Sequence, residues 1–189
     1  MIDFGAGDVV DAAWLAFGAY WLLSALRAKH IRKRDSGLYG LVRLVLLCIA
    51  FILLYSSNPR FGPLNDRFLP HREWIRAVGA TLTVAGVAFA IWARYHIGQY
   101  WSSAVALKVD HKLIRTGPYA RIRHPIYTGI LLALAGTALL VGEYRAILAF
   151  VLWFAGLAWK ASREEALLAT EFGPAFEEHK RLTGFFLPR

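Results

Sequence analysis

Apolar residues along the chain form long blocks and show neither strand alternation nor a single helical stripe. A membrane-spanning helix requires roughly 20 mostly apolar residues, and the helices of a soluble bundle would carry polar faces that these blocks lack. The pattern predicts an all-α integral membrane protein with about five transmembrane helices. The blocks are residues 9–26, 40–57, 77–93, 125–142 and 146–159.

Basic residues are concentrated in alternate connections between these blocks. The connection at 27–37 is densely basic, and the connection at 94–124 carries six Lys or Arg residues against the single acid Asp110. The tail after residue 159 contains further Lys and Arg, whereas the N-terminal segment contains acids and neither Lys nor Arg. The positive-inside rule therefore predicts an N-terminus outside and a C-terminus in the cytoplasm, and we expect a bacterial inner membrane.

Composition and net charge indicate which kinds of partner the chain has. The chain has 189 residues, is 57% hydrophobic and carries a net charge of +9. Its basic residues are dispersed among membrane-proximal loops, so the charge indicates topology and attraction to anionic membrane lipids, and no nucleic-acid partner is expected. We expect one membrane domain over 1–189, with an N-terminal helical hairpin and outer loop at 1–73 and a catalytic core at 74–189. Oligomeric state is left open.

Several residue types support only structural expectations. No histidine is paired at helical spacing with another ligand type, so no metal site is predicted. The only cysteine, Cys48, lies in the middle of an apolar block and is predicted to be a small core residue. Four small residues at spacings of three and four predict a helix-packing face, with a ligand groove as the alternative. These are Gly79, Thr83, Gly86 and Ala90.

Polar chemistry gathers first in the long connection at 96–127. Long ordered loops tend to be functional. Asp110 and His111 are expected to form a turn between two short extended pieces, and Gly117 with Pro118 is a strong turn signal. The fourth block begins with Pro125, so the helix start should present backbone N–H groups that suit an anionic ligand group.

A second polar group follows the last apolar block. Ser162 is predicted to cap a further helix that carries Glu164 and Glu165 in its first turn. The short connection at 143–145 makes the fourth and fifth helices antiparallel neighbours, which should bring His124 close to both glutamates. Basic groups and two carboxylates would then surround one cavity at the membrane surface, and such a cavity would suit a zwitterionic ligand.

These residues, in this order, resemble the isoprenylcysteine carboxyl methyltransferase family. The resemblance covers about residues 95–188 and leaves the first two helices unmatched. A single Arg-His-Pro-x-Tyr motif would be modest evidence for this family, whereas several motifs in the same order along the chain are specific to it. The set comprises Gly98 with Trp101 and Ser102, His111 to Leu113, Gly117 to Tyr119, Arg123 to Pro125, Tyr127, Glu164 with Glu165, and the segment 171–188.

The resemblance implies an S-adenosylmethionine-dependent methyltransferase with a cytoplasmic cofactor-binding loop and a C-terminal amphipathic helix. Arg123 and His124 would hold the methionyl carboxylate, and Glu164 and Glu165 would face the ammonium and the sulfonium. The implied cofactor-binding residues are His111, Leu113, Gly117, Tyr119, Arg123, His124, Tyr127, Glu164 and Glu165.

The resemblance implies a lipophilic methyl acceptor, either a small molecule or a prenylated substrate. The acceptor group that it implies first is the carboxylate of an isoprenylcysteine-like compound. Arg163 or Lys160 would then hold the substrate carboxylate. If the acceptor is a lipid amine, as in phospholipid N-methyltransferases, a proton must be removed and Glu165 or His124 is the candidate base. The candidate catalytic residues are thus Arg163, Glu165 and His124.

Two other classes of protein remain as alternatives. An NADPH-dependent membrane reductase of the sterol type resembles this chain around the same motif, because Gly129 follows Tyr127 at the matching distance. A transporter or scaffold is the third class. Charges within the spans would mark a transport path, and only Asp11 and Arg43 lie within the blocks.

Overall fold

The structure of the protein, a computed structural model, describes residues 5–26, 31–34, 37–56, 61–101, 105–108 and 112–189. Five long helices coincide with the five predicted blocks; four of them agree to within a few residues at both ends, and the fifth extends past its block to Phe172. The helices are α1 (Ala6–Ala25), α2 (Gly37–Tyr55), α3 (Glu73–Ile97), α4 (Pro125–Val141), α5 (Tyr144–Phe172) and the shorter α6 (Pro174–Leu182).

Two helical stretches in the described part of the chain are long and apolar enough to cross a membrane. They are Glu73–Tyr100 and Tyr144–Phe172, and two shorter apolar helices cover Gly40–Tyr55 and Pro125–Val141. The outward side of α2 exposes large apolar side chains such as Leu44 and Phe51. An exposed apolar surface of this extent suits contact with lipid.

α3 and α4 are in close backbone contact. A Cβ atom added to Gly86 would lie 2.4 Å from Ala133 N, and one added to Gly79 would lie 2.6 Å from Gly136 O. Between these points Thr83 Oγ1 donates to the Ala133 carbonyl at 3.1 Å. The small residues of α3 therefore form a packing face, as predicted, because only residues without large side chains allow two helices to approach so closely.

The connections between helices are grouped at two ends of the bundle. Strand β1 (Ile31–Arg34) pairs antiparallel with strand β2 (Ala106–Lys108), which joins the first and third connections. At the other end of α3, Phe68 N donates to Gly142 O at 3.0 Å, which joins the second and fourth connections. This alternation agrees with the alternation of basic charge along the sequence.

The third connection differs from its prediction. Of the two expected extended pieces, only Ala106–Lys108 is a strand, and its partner is Ile31–Arg34 in the first connection. The stretch 112–115 has no regular secondary structure, and its residues Leu113 and Ile114 line the cavity described below. The expected turn at Asp110 and His111 lies outside the described residues.

The predicted helix break at Ser162 is wrong. α5 continues without interruption to Phe172 and ends at Gly173, whose φ is +49°. Ser162 Oγ donates to the Ala158 carbonyl at 3.0 Å within the helix and caps nothing. No Gly or Pro interrupts residues 157–172, so the acidic residues extend α5 past its apolar part.

One expectation for the N-terminal half needs correction, that for Cys48. In the described part of the chain, α1 packs against α3 and α2 against α5. The indole of Trp14 on α1 also donates to Thr137 Oγ1 on α4 at 3.0 Å. Cys48 is exposed on α2 and is not a core residue, because the apolar outer surface of this helix faces away from the bundle.

Candidate active site

A cavity lies at the end of the bundle where α3 ends and α4 begins. Its walls come from five parts of the chain: the end of α3, the stretch after β2, the start of α4, the second half of α5, and α6. The lining residues are Ile97, Tyr100, Trp101, Lys112, Leu113, Ile114, Tyr119, Arg123, His124, Ile126, Tyr127, Glu164, Leu167, Leu168, Phe176 and His179.

The start of α4 places two aromatic rings at the cavity. His124 precedes the helix, and Pro125 is its first residue, where the missing N–H costs nothing. The His124 ring lies parallel to the Tyr127 ring, with centroids 5.4 Å apart, and meets Phe185 edge-on at 5.0 Å. Only 7% of His124 is exposed, so its ring is fixed by packing on both sides.

Two adjacent carboxylates on α5 have separate partners. Glu165 Oε1 accepts from Arg123 Nε at 2.6 Å and lies 3.2 Å from His124 Nε2. Glu164 Oε2 accepts from the Tyr127 hydroxyl at 2.7 Å, and Glu164 Oε1 lies 3.3 Å from Lys160 Nζ. Glu164 lines the cavity, whereas Glu165 lies behind it and orients Arg123 and His124. The antiparallel helices thus bring together the groups that the sequence predicted to be neighbours.

The C-terminal tail packs directly on the start of α4. Arg123 N donates to Gly184 O at 2.9 Å, and His124 N donates to Phe185 O at 3.3 Å. The Arg123 guanidinium adds hydrogen bonds to the carbonyls of Lys180 and Thr183. The two N–H groups that precede the helix are therefore bound by the tail, and a ligand anion there would meet side chains.

A tight turn positions Tyr119. Gly117 has φ +57°, and a Cβ atom added to it would lie 2.6 Å from His96 Cε1. The His96 ring also contacts Thr116 Oγ1 at 2.8 Å and stacks on Tyr119 at 6.4 Å. Burial, aided by the nearby Glu164 charge, raises the pKa of Tyr119, so this side chain is a neutral phenol at physiological pH.

α6 supplies two cavity residues that sequence reasoning did not select. Phe176 and His179 are buried and lie three positions apart, on one face of the helix. Burial lowers the pKa of His179, and the positive charges of Arg115 and Arg123 lower it further, so its ring is neutral at pH 7. The sequence signal that could have pointed to this helix is the recurrence of apolar and aromatic residues along 171–186.

The residues predicted from the sequence occupy five kinds of position. Glu165 lies behind the cavity and Gly117 forms the turn beneath Tyr119, as described above. Arg163 is half-buried on α5 next to Glu164 and is not among the lining residues, and His111 lies outside the described residues. Those that line the cavity are Leu113, Tyr119, Arg123, His124, Tyr127 and Glu164.

Comparison with known proteins finds a family model and several proteins to which parts of the chain are similar. The model of the isoprenylcysteine carboxyl methyltransferase (ICMT) family matches residues 79–170. The protein-S-isoprenylcysteine O-methyltransferase of Schizosaccharomyces pombe is 37% identical over 93 residues, which are 47% of this chain and 39% of that protein. The cobalt-zinc-cadmium resistance protein CzcN of Cupriavidus metallidurans is 30% identical over 152 residues, or 79% of this chain and 63% of that protein.

A solved structure shares the fold. The eukaryotic intramembrane Ras methyltransferase ICMT superposes with a TM-score of 0.55 at 23% identity, covering 83% of this chain and 54% of that one. Long apolar helices with a buried polar centre at one end are typical of a helical membrane protein. Over residues 79–170 the chain is similar to the isoprenylcysteine carboxyl methyltransferase family. It spans less than two thirds of the length of the relatives named here.

Proposed function

We propose that the chain is an S-adenosylmethionine-dependent methyltransferase that acts at the membrane on a lipophilic acceptor, in the first place the carboxylate of an isoprenylcysteine-like compound. One observation carries the proposal: at one cavity, Arg123 and His124 before α4 pair with Glu165 of α5, and Tyr127 of α4 donates to Glu164 of α5. The match of residues 79–170 to the model of the isoprenylcysteine carboxyl methyltransferase family supports it.

The chemistry of the cavity wall fits this cofactor. Glu164 supplies negative charge for the ammonium and the sulfonium, and Arg123 and His124 supply donors for the carboxylate. The aromatic rings of Tyr100, Trp101 and Tyr119 offer stacking surfaces for the adenine. When bound, S-adenosylmethionine supplies the methyl group: its sulfur–carbon bond breaks as the bond to the acceptor forms, and the electron pair remains on sulfur.

The residues of the chain contribute positioning and exclusion of water. Glu165 fixes the orientation of Arg123 and His124, and the tail closes the cavity through Phe176 and His179. Correct orientation of reactants is worth about 7–11 kcal/mol in well-aligned systems. A carboxylate acceptor is already a nucleophile at neutral pH, so the reaction needs no general base.

An amine acceptor fits the site less well. An amine acceptor would require a base to remove a proton. Glu165 already accepts hydrogen bonds from both Arg123 and His124, which makes its carboxylate a poor proton acceptor. Arg163 remains a proposed contact for the acceptor, because it precedes Glu164 on α5.

We extend the proposal to the membrane. All five long helices cross it, with the basic first and third connections and the cavity on the cytoplasmic side of a bacterial inner membrane. The grouping of those two connections at one end of the bundle supports this orientation. The core at 74–189 carries the cofactor, and the lipid tail of the acceptor enters between helices.

Binding of S-adenosylhomocysteine and, separately, of NADPH to the purified full chain in detergent tests the proposal by calorimetry. We expect S-adenosylhomocysteine to bind and Glu164→Gln to weaken its binding about tenfold, because a charge-assisted contact is removed. Glu177→Gln, at an exposed glutamate of α6, is the matched control and should change nothing. Binding of NADPH, or of neither ligand, would overturn the proposal.

A further inference from the structure

His179 on α6 is a buried titratable residue that the proposed function uses only as part of the cavity wall. It lines the cavity, and only 5% of its surface is exposed. Within the described part of the chain its ring nitrogens take part in no hydrogen bond or ion pair, and the hydrogen bond from Thr183 Oγ1 reaches its backbone carbonyl. Buried polar groups are almost always satisfied by hydrogen bonds, so this imidazole is available to a ligand.

The residues expected to hold the cofactor carboxylate have few donors left for it. Arg123 Nε is bound to Glu165 Oε1 at 2.6 Å, and Arg123 Nη1 donates to the carbonyls of Lys180 and Thr183. His124 Nε2 lies 3.2 Å from the same Glu165 oxygen. A carboxylate has two oxygens and about four acceptor positions. A carboxylate at this wall therefore calls for a further donor.

The surroundings of His179 suit that role. The charged groups that act on its ring are Arg115, Arg123 and Glu165, so it lies on the side of the cavity where Arg123 and Glu165 pair. Arg115 is itself paired with Glu178 of α6 at 3.1 Å. Burial and the two arginines lower the pKa of His179, while Glu165 opposes them. The ring is then neutral at pH 7, with one nitrogen that donates and one that accepts.

We propose that the ring of His179 donates a hydrogen bond to the methionyl carboxylate of S-adenosylmethionine, beside Arg123, and is thus a further cofactor-binding residue. This inference rests on the methyltransferase function proposed above. It assigns part of the cofactor site to α6, which lies outside the segment 79–170 that matches the family model.

A bound carboxylate has a measurable consequence for His179. A negative charge beside the ring favours the imidazolium form, so cofactor binding raises the pKa of His179 toward its ordinary value of about 6.5 or above. At about pH 6 the complex therefore binds more protons than the free protein.

The first test compares two ligands by calorimetry on the full chain in detergent. S-adenosylhomocysteine carries the amino-acid part, whereas 5′-methylthioadenosine shares the nucleoside and the thioether and lacks that part. His179→Phe should weaken S-adenosylhomocysteine binding about tenfold, as expected for a hydrogen bond to a charged group, and should leave 5′-methylthioadenosine binding unchanged. His179→Gln keeps a side-chain N–H and should recover part of the loss. His71→Phe, at an exposed histidine of the second connection, is the matched control and should change neither affinity.

The second test counts protons. Titration of S-adenosylhomocysteine at pH 6 in two buffers that differ in ionisation enthalpy gives the number of protons taken up on binding. Wild type should take up more protons than His179→Gln, which binds through its amide and cannot be protonated. A residue that only supports the fold would not produce this difference.

These measurements separate the inference from the function on which it rests. Retained 5′-methylthioadenosine binding in His179→Phe shows that the variant is folded and that its cavity is intact. Unchanged S-adenosylhomocysteine affinity in His179→Phe, an equal loss for both ligands, or equal proton uptake by wild type and His179→Gln would overturn the inference and leave the methyltransferase proposal standing. Absence of S-adenosylhomocysteine binding in wild type would overturn both.

Discussion

Arg123 Nε and Glu165 Oε1 are 2.6 Å apart, and the two side chains are only 12% and 14% exposed. This ion pair joins the segment before α4 to α5, and the Arg123 guanidinium also holds the C-terminal tail through the carbonyls of Lys180 and Thr183. A single buried contact thus connects three parts of the cavity wall. Its removal should affect both stability and ligand binding.

Glu165→Gln should lower the free energy of unfolding by about 3–5 kcal/mol, because removing one partner of a buried pair leaves the other charge uncompensated. The measurement is thermal unfolding in detergent. Replacing both partners with apolar residues, Arg123→Met with Glu165→Leu, should recover only part of that stability, because the carbonyls of Lys180 and Thr183 also lose their donor. It should not recover S-adenosylhomocysteine binding. A double variant as unstable as the single one would show that the pair does not act as a unit.

Gly86→Ala should destabilise the bundle by about 1–3 kcal/mol, because the added methyl group cannot fit between two backbones without separating them. Its Cβ would lie 2.4 Å from Ala133 N. Gly18→Ala is the matched control, since a Cβ atom on this α1 glycine meets nothing within 4 Å. The control should be neutral or slightly stabilising, as alanine favours helix over glycine. Equal melting temperatures for the two variants would contradict the close α3–α4 contact.

The positions of the helices could be predicted from the sequence because each apolar block is a local signal that lipid or core packing reinforces. The neighbourhood of His124, Glu164 and Glu165 also followed from local information, since a three-residue connection fixes two helices as antiparallel neighbours. Pairing of Ile31–Arg34 with Ala106–Lys108 could not be predicted, because the partners lie far apart in sequence and neither alternates. Local propensity also gave the wrong result at Ser162, where continued packing of α5 prevailed over a capping signal.

Gly117→Ala should weaken S-adenosylhomocysteine binding by displacing His96 and, through its ring, Tyr119. The added Cβ would lie 2.6 Å from His96 Cε1, in addition to the cost of a positive φ. Gly62→Ala is a control with nearly the same φ, +56° against +57°, but with nothing within 4 Å of the new atom. Both variants should lose about 1–2 kcal/mol of stability from the backbone conformation. Calorimetry should show weakened binding only for Gly117→Ala, and equal effects would exclude the His96 contact as the cause.

Acid should loosen the α6 wall of the cavity through His179. Burial, followed by the charges of Arg115 and Arg123, lowers the pKa of this residue, while Glu165 opposes them. The unfolded chain therefore binds a proton more readily than the folded one, so the stability contributed by neutral His179 is present above its unfolded pKa of about 6.5 and is lost as pH falls below it. We expect the melting temperature to fall between pH 7.5 and pH 5.5 in wild type. His179→Gln, which cannot take up the proton, should show a smaller fall, whereas an unchanged pH dependence in this variant would assign the acid sensitivity to other groups.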